Sequence, residues 1–314
     1  MYSHVPPHQV RLGKTGQQHN GFRAFSSRHV ARASRRSRFI VRASSAKQEG
    51  VQIPTFLNNT PHLRETRQFF YKDIADSIVR AVEGGEKRMR VKSEFPEMNT
   101  DMDVYRIGTA LEMIRVMVTE LVQDGKRVKI CVQGSMGQGV FQGLPLSLAG
   151  VRRIMEAMDW GEDMLGNFIN LAEVGPDQVQ PNDDVIIVFS PTSIVGSSII
   201  PTLEAMCETI GDRPVILFNP RIGDIPSSGG VMQVRGRQGR MDFENTFETV
   251  YHFRLLYNKP YHFPIYGALR KSYGAEWEIY KRKSITKKEE NYALTPVTFK
   301  KEPNAEQITR AIRG

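Results

Sequence analysis

The chain has 314 residues, of which 40% are apolar, and its formal net charge is +9. This size and composition favour one large or two small globular domains with a buried core. Residues 1–48 hold ten Lys and Arg and no acid, and removing these ten leaves 33 basic residues against 34 Asp and Glu. The basic charge belongs to one terminal segment, so composition argues against nucleic-acid binding by the rest of the chain.

The basic segment is rich in Arg and Ser and lacks acids, which is typical of an organelle transit peptide. We predict a chloroplast transit peptide over residues 1–43, a linker over 44–66 and a single α/β domain over 67–313. A basic arm that is retained and binds an anionic partner is the alternative. No apolar run approaches the roughly 18 residues that a membrane-spanning helix needs, so the body is predicted to be soluble or peripheral.

Helix and strand signals alternate along the next part of the chain. Residues 69–84 predict a helix that ends at Gly84, and the stretch KRMRVKSEF predicts a short strand. A longer helix is predicted to begin near Asp101 and Asp103, which suit a helix N-terminus, and to end at Gly125. Its apolar residues recur every three or four positions and predict one core-facing stripe: Val104, Ile107, Leu111, Ile114, Val118 and Leu121.

The residues between 127 and 218 indicate the fold class. Strands are predicted over 127–132 and in FINLA, with a helix from about Pro145 to Met158 between them. Residues 185–218 then give two unalternating apolar strands around a helix that begins at Ser197 or Ser198 and ends at Gly211. Strands without alternation are covered on both faces, so this segment is predicted to be a βαβ unit of a parallel sheet.

Beyond Arg221 a segment rich in Gly, Ser and Arg leads to a short helix near MDFENTF and to the β-rich stretches TVYHFRLL, EWEIYKR and TPVTF. We interpret these stretches as antiparallel or edge additions to the same sheet, with a small second domain as the alternative. The predicted fold is α/β, a Rossmann-like three-layer fold with a mostly parallel sheet and antiparallel C-terminal strands.

The glycine segment GSMGQGVFQG does not match a phosphate-binding loop. Its glycines, Gly134, Gly137, Gly139 and Gly143, are spaced one residue too far apart for the dinucleotide fingerprint. The next acid that could follow it, Glu173, is 34 residues beyond Gly139 rather than about 20. No charged residue lies between positions 130 and 151, so a phosphate would rest on backbone amides alone.

The same segment carries apolar side chains that predict a partner-binding surface: Met136, Val140, Phe141 and Leu144. A loop that covers the sheet edge is the alternative. A second candidate is formed by Arg235, Arg237 and Arg240, which would contact an anion or an acidic partner. Arginines that bind carbonyl groups or pair with Asp242 are the alternative there. The sequence predicts no catalytic residue, metal site or cofactor.

Several long strings resemble a known family, among them CVQGSMGQGVFQGLPLSLAG, RPVILFNPRIGDIPSSGGVMQ and PIYGALRKSYGAEWEIYKR. They are similar to the Low Photosystem II Accumulation proteins of chloroplasts and to the wider plant and cyanobacterial domain of unknown function that is also appended to a chloroplast adenylate kinase. The likeness covers roughly residues 65–313. The phosphate loop and lid of that kinase are not in this sequence.

The resemblance implies a photosystem II assembly factor in the chloroplast stroma or peripherally on the thylakoid membrane. Such a chaperone or scaffold would assist insertion and assembly of the smaller chlorophyll-binding core antenna subunit, with a small thylakoid partner and the membrane insertase. The family has no established catalytic residues to carry over. The alternative function is a nucleotide-responsive regulator or enzyme that uses the glycine segment 134–143 and the arginine segment 235–240.

Overall fold

A mixed β-sheet forms the centre of the computed structural model, which describes residues 51–57, 59–99, 104–134, 150–194, 198–223, 234–257, 265–283 and 290–314. The strands are β1 (Arg88–Glu94), β2 (Val128–Val132), β3 (Ile169–Glu173), β4 (Val185–Phe189), β5 (Val215–Phe218), β6 (Glu248–Tyr257), β7 (Ile265–Ser272), β8 (Trp277–Arg282) and β9 (Tyr292–Phe299). The helices are α1 (Arg64–Glu83), α2 (Ile107–Gln123), α3 (Val151–Glu156), α4 (Ile200–Ile210), α5 (Arg237–Glu244) and α6 (Ala305–Arg313).

Within the described residues the strand order is β3-β2-β4-β5-β1-β6-β7-β8-β9. The strands from β3 to β6 along this order pair in parallel. β6 to β9 pair in antiparallel fashion and extend the same sheet. The predicted fold class is therefore confirmed, including the antiparallel C-terminal strands.

Helices cover both faces of the sheet and make the three layers. β4 shows why its sequence does not alternate: Ile187 belongs to the buried cluster that includes α1 and α2, whereas Ile186 and Val188 belong to the cluster on the α4 side. The predicted stripe of the long helix is confirmed by Leu111, Ile114, Val118 and Leu121, which are all buried. Burial of such side chains on both faces is the main source of stability of this fold.

The starts of α2 and α4 differ from the predicted ones. α2 begins at Ile107, later than expected; Asp101 and Asp103 lie outside the described residues. α4 begins at Ile200, where the Ser198 hydroxyl oxygen accepts a hydrogen bond from the Ile200 N–H at 3.3 Å. The predicted ends at Gly84 and Gly211 are confirmed, because both residues are the helix C-caps.

Part of the predicted linker, residues 44–66, belongs to the folded domain. Ile53 and Leu57 are buried in the main core, and α1 already begins at Arg64. The backbone N–H of His62 donates to the buried carboxylate of Glu97 at 2.6 Å. The average composition of this segment is polar and does not indicate that Ile53 and Leu57 are buried. The predicted transit peptide and residues 44–50 lie outside the described residues.

Two C-terminal elements were not predicted. β7 lies between β6 and β8, and α6 packs Ile308 against Leu269 and Trp277. α6 has a recognisable start signal, since Asn304 and Gln307 form a reciprocal capping box. No helix of the described residues is both long and apolar enough to cross a membrane.

Candidate functional site

The carboxyl ends of the parallel strands meet at one edge of the sheet. Gln133 and Gly134 follow β2, Ser190 follows β4, and Asn219 follows β5. From β2 the chain moves to β3 on one side, whereas from β4 it moves to β5 on the other side. Ligands of open α/β sheets bind at such a reversal of strand order. The glycine segment therefore begins at the position where α/β folds of this class form their ligand-binding sites.

Two amide side chains tie the strand ends together at this edge. The Gln133 side chain accepts the Thr192 N–H at 2.8 Å and donates to the Thr192 carbonyl at 3.0 Å. Asn219 accepts the Ser93 N–H at 2.6 Å and donates to the Ser93 carbonyl at 3.2 Å. Ser190 and Asn219 also have φ angles of 44° and 45°, in the left-handed region that most residues avoid. The edge is held in a defined, locally strained conformation, as is common beside binding sites.

The structure places Glu173 beside the start of the glycine segment. A Cβ on Gly134 would lie 2.9 Å from the Glu173 Oε2 atom. The distance along the sequence is irrelevant because β3 pairs with β2 in parallel, with Glu173 opposite Val132. An acid at the neighbouring strand end is the group that binds ribose hydroxyls in dinucleotide-binding folds. The same carboxylate would repel a phosphate placed next to Gly134.

The other residues of this candidate site lie outside the described residues: Met136, Gly137, Gly139, Val140, Phe141, Gly143 and Leu144. Their assignment to a partner-binding surface, and the alternative of a covering loop, both stay predictions. The expected helix start at Pro145 lies outside the described residues as well. Within them, α3 lies inside the predicted helix range and buries Val151 and Met155.

The structure places the three arginines of the second candidate in different surroundings. Arg235 precedes α5, and Arg237 and Arg240 lie within it. Arg240 is buried, and its guanidinium donates to the carbonyls of Gly223 at 3.1 Å and of Arg235 at 2.8 Å. This is the carbonyl-binding role that was the alternative for the arginine segment. Arg235 and Arg237 are exposed. Any anion or partner contact by this segment would therefore rest mainly on these two residues.

A polar cleft that the sequence did not reveal lies beside α5. It has a volume of about 330 Å³ and is lined by Arg90, Lys92, Glu94, Met241, Asn245, Thr249, His252, Arg254 and Glu302. The signal that could have indicated it is the alternation of β1. Met89 and Val91 enter the core, so the charged side chains between them face the opposite side of the sheet.

Glu244 of α5 organises one wall of this cleft. Its carboxylate is 2% exposed, lies 3.2 Å from the Arg90 Nη1 atom and contacts the Lys92 Nζ atom. It also accepts the Gly223 N–H at 3.1 Å. The Arg90 guanidinium donates in addition to the Thr249 hydroxyl at 2.7 Å. A buried carboxylate is stable only with such partners, so these contacts fix the two cations in place.

His252 lines the cleft and is buried. Its side chain packs on Trp277 with ring centroids 5.1 Å apart. Burial lowers the pKa of His252 well below its ordinary value, and the positive charges of Arg254, Lys92 and Arg90 lower it further. The imidazole is therefore neutral at physiological pH, although it lies among cations.

We expect His252 to make the stability of the protein pH-dependent. An unfolded histidine takes up a proton below about pH 6.5, whereas the folded residue stays neutral, so the unfolded state binds more protons. The contribution of neutral His252 to the free energy of unfolding is therefore fully present above about pH 6.5 and decreases as the pH falls below that value. Between about pH 7.5 and about pH 5.5 the wild type should lose more stability than His252→Gln in urea unfolding, by on the order of 1 kcal/mol. Parallel pH curves for the two proteins would contradict this assignment.

These features define a three-layer α/β protein with a hydrogen-bonded carboxyl edge at its strand-order reversal and a charged cleft beside α5. Residues 64–310 match DUF1995, a domain of unknown function. The match covers most of the chain, and the protein belongs to the DUF1995 family. Among the described residues, no group of three or more His, Cys, Asp or Glu is arranged to hold a metal ion.

Proposed function

We propose that this chain is a chloroplast assembly factor for photosystem II that acts like the third Low Photosystem II Accumulation protein. In this proposal it works in the stroma, or peripherally on the thylakoid, and assists insertion and assembly of the smaller chlorophyll-binding core antenna subunit. A small thylakoid partner and the membrane insertase would take part. Support comes from the long shared strings, which all lie within the residues 64–310 that match the family.

The observation that carries a binding role is the position of the uncharged segment 130–151. It starts within β2 and continues past Gln133, whose amide clamps the β2 and β4 ends together. Rigid scaffolds commonly present binding residues on segments that leave a sheet edge. Apolar side chains without neighbouring charges have the composition of the central part of a protein interface. We therefore assign partner contact to Phe141 and its apolar neighbours.

The test is co-isolation of partners from thylakoid extracts by the tagged protein, followed by mass spectrometry. We expect photosystem II core antenna subunit and assembly proteins with the wild type, and their loss with Phe141→Asp at unchanged thermal stability. Val297→Asp is the matched control, because Val297 is 44% exposed on β9, at the opposite end of the sheet. Absence of every photosystem II subunit and assembly protein from the wild-type sample would reject the proposal.

The contact between Gly134 and Glu173 favours a second candidate, a nucleotide-responsive protein. Such a protein would bind ribose hydroxyls through Glu173, at the strand-order reversal. Thermal unfolding with ATP, ADP, NADP or S-adenosylmethionine separates the two functions, since a ligand at 100 times its Kd adds about 2.7 kcal/mol. A stabilisation that Glu173→Ala removes would favour this candidate. If none of the four ligands stabilises the wild type, the nucleotide candidate loses its support.

A further inference from the structure

Three cations converge on the cleft beside α5 from two neighbouring strands. Arg90 and Lys92 come from β1, and Arg254 comes from β6. The strands pair in parallel, with Lys92 opposite His252 and Glu94 opposite Arg254. Because side chains alternate along each strand, this register turns the cations and the imidazole to one face of the sheet. The convergence is a property of the paired strands and does not depend on a loop.

Two residues that line this cleft each carry a buried nitrogen without a hydrogen-bond partner in the described part of the chain. His252 is 4% exposed, and its Nε2 atom has no hydrogen-bond partner among the described residues. The Arg254 Nε atom is also buried and without a partner there. A neutral imidazole can carry its proton on Nε2 and then donates at that atom. Most buried polar groups in proteins are satisfied, so the unsatisfied nitrogens of these two cleft-lining residues, two positions apart on β6, need an acceptor that the described residues do not supply.

Carboxylates in and beside the cleft limit the kind of ligand that it can hold. The Glu244 carboxylate is already bonded to Arg90, Lys92 and the Gly223 N–H. It therefore does not serve as the acceptor for His252. Glu94 and Glu302 also line the cleft and are exposed. Like charges repel, so these two residues disfavour a ligand with several phosphates. Lys92 retains further N–H donors beyond its contact with Glu244, since an ammonium group has three.

We infer that this cleft binds the phosphate group of a small phosphorylated compound through Arg254, His252 and Lys92. The oxygens of a phosphate can accept bonds from all three side chains at once, and charge-assisted bonds of this kind are about twice as strong as neutral ones. The volume of about 330 Å³ is at the lower end of small-molecule sites and suits a phosphate with a short carbon skeleton. None of the residues that line this cleft belongs to the glycine segment 134–143.

Equilibrium dialysis of the full chain with radiolabelled inorganic phosphate and with glycerol 3-phosphate tests the inference at constant ionic strength. We expect saturable binding that Arg254→Gln weakens about tenfold or more, the usual effect of one charge-assisted bond. Lys72→Gln is the matched control, because it also removes one positive charge but lies exposed on α1, which packs on the other face of the sheet. This control should bind as the wild type does.

The two ligands distinguish the source of the phosphate. Tighter binding of glycerol 3-phosphate assigns the site to phosphorylated metabolites, and tighter binding of inorganic phosphate assigns it to free phosphate. Absence of saturable binding of either ligand up to about 1 mM, which corresponds to about 4 kcal/mol of binding free energy, would overturn the inference. Equal competition by acetate would overturn it in favour of a carboxylate site.

A second measurement covers the case in which Arg254→Gln does not fold. In the wild type, the ring signals of His252 in a histidine NMR spectrum should shift with phosphate, and the pKa of this imidazole should rise when an anion offsets the cations around it. Lys271 lies opposite His252 on β7 and donates to the Ala275 carbonyl. Its charge is present both with and without phosphate, so it does not account for a change in the pKa of His252. Ring signals that do not respond while phosphate binds would place the ligand elsewhere and overturn the inference.

Discussion

Replacing Arg270 by Gln should lower the free energy of unfolding by about 3–5 kcal/mol, the usual cost of breaking a buried ion pair from one side. Arg270 has a side chain that is 3% exposed and bonds Asp73 at 2.5 and 2.9 Å and Glu278 at 2.6 Å. The Tyr251 and Tyr280 hydroxyls donate to the same two carboxylates at 2.9 and 3.0 Å. The guanidinium therefore joins α1 to β7 and β8, and its removal leaves two carboxylates without their cation.

The ionisation states of this network agree with that cost. Burial by itself would lower the pKa of Arg270, but the hydrogen bonds and charge of Asp73 raise it above its ordinary value. Burial raises the pKa of Tyr251, and the Asp73 charge raises it further. Arg270 thus stays charged and Tyr251 stays a neutral donor over the whole physiological pH range. Glutamine in place of Arg270 can donate hydrogen bonds but supplies no charge.

Urea unfolding followed by tryptophan fluorescence measures the effect of Arg270→Gln. The control is Arg310→Gln on α6, where the ion pair with Glu306 is 2.8 Å long but 80% and 78% exposed. Exposed pairs of this kind contribute little, so the control should unfold close to the wild type. Adding Asp73→Asn to Arg270→Gln should recover part of the loss, because it removes one of the two stranded charges. Equal unfolding midpoints for Arg270→Gln and Arg310→Gln would contradict the assignment.

Gly267→Ala is expected to destabilise the protein by about 3 kcal/mol, a large value for a single methyl group. Gly267 lies on β7, and a Cβ there would lie 2.0 Å from the backbone oxygen of Tyr280 on β8. A backbone oxygen cannot rotate away as a side chain would, so the β7–β8 pairing has to separate locally. The same urea experiment checks this result.

Gly108→Ala provides the matched control for this substitution. Gly108 is the second residue of α2, and a Cβ there would meet no atom within 4 Å. Alanine reduces the conformational freedom of the unfolded chain and favours the helix, so this variant should gain about 0.4–1 kcal/mol. If both glycine variants shift stability in the same direction by similar amounts, the close approach at Gly267 is not the cause of the loss.

Contacts between residues far apart in the sequence could not be predicted at the candidate sites. The sequence indicates the glycine segment but separates it from Glu173 by 34 residues, whereas parallel pairing of β2 and β3 brings the two together. Arg240 was grouped with Arg235 and Arg237, although the start of α5 turns it inward to the Gly223 carbonyl. The cleft beside α5 was missed because Arg90 and Thr249 are 159 residues apart. Contacts over such distances follow from strand order, which local patterns do not contain.

The sequence by itself determined the parts of this protein that depend on short-range periodicity. Unalternating apolar runs at residues 185–218 specified buried parallel strands, and recurring apolar positions specified the core face of α2. Only the tertiary structure decided which strands became neighbours and therefore which charges share a cleft. The physical reason is that the apolar face of a helix or strand can be buried against many different neighbours, so its periodicity does not specify which one. The pairing of β1 with β6 is selected by the packing of the whole sheet.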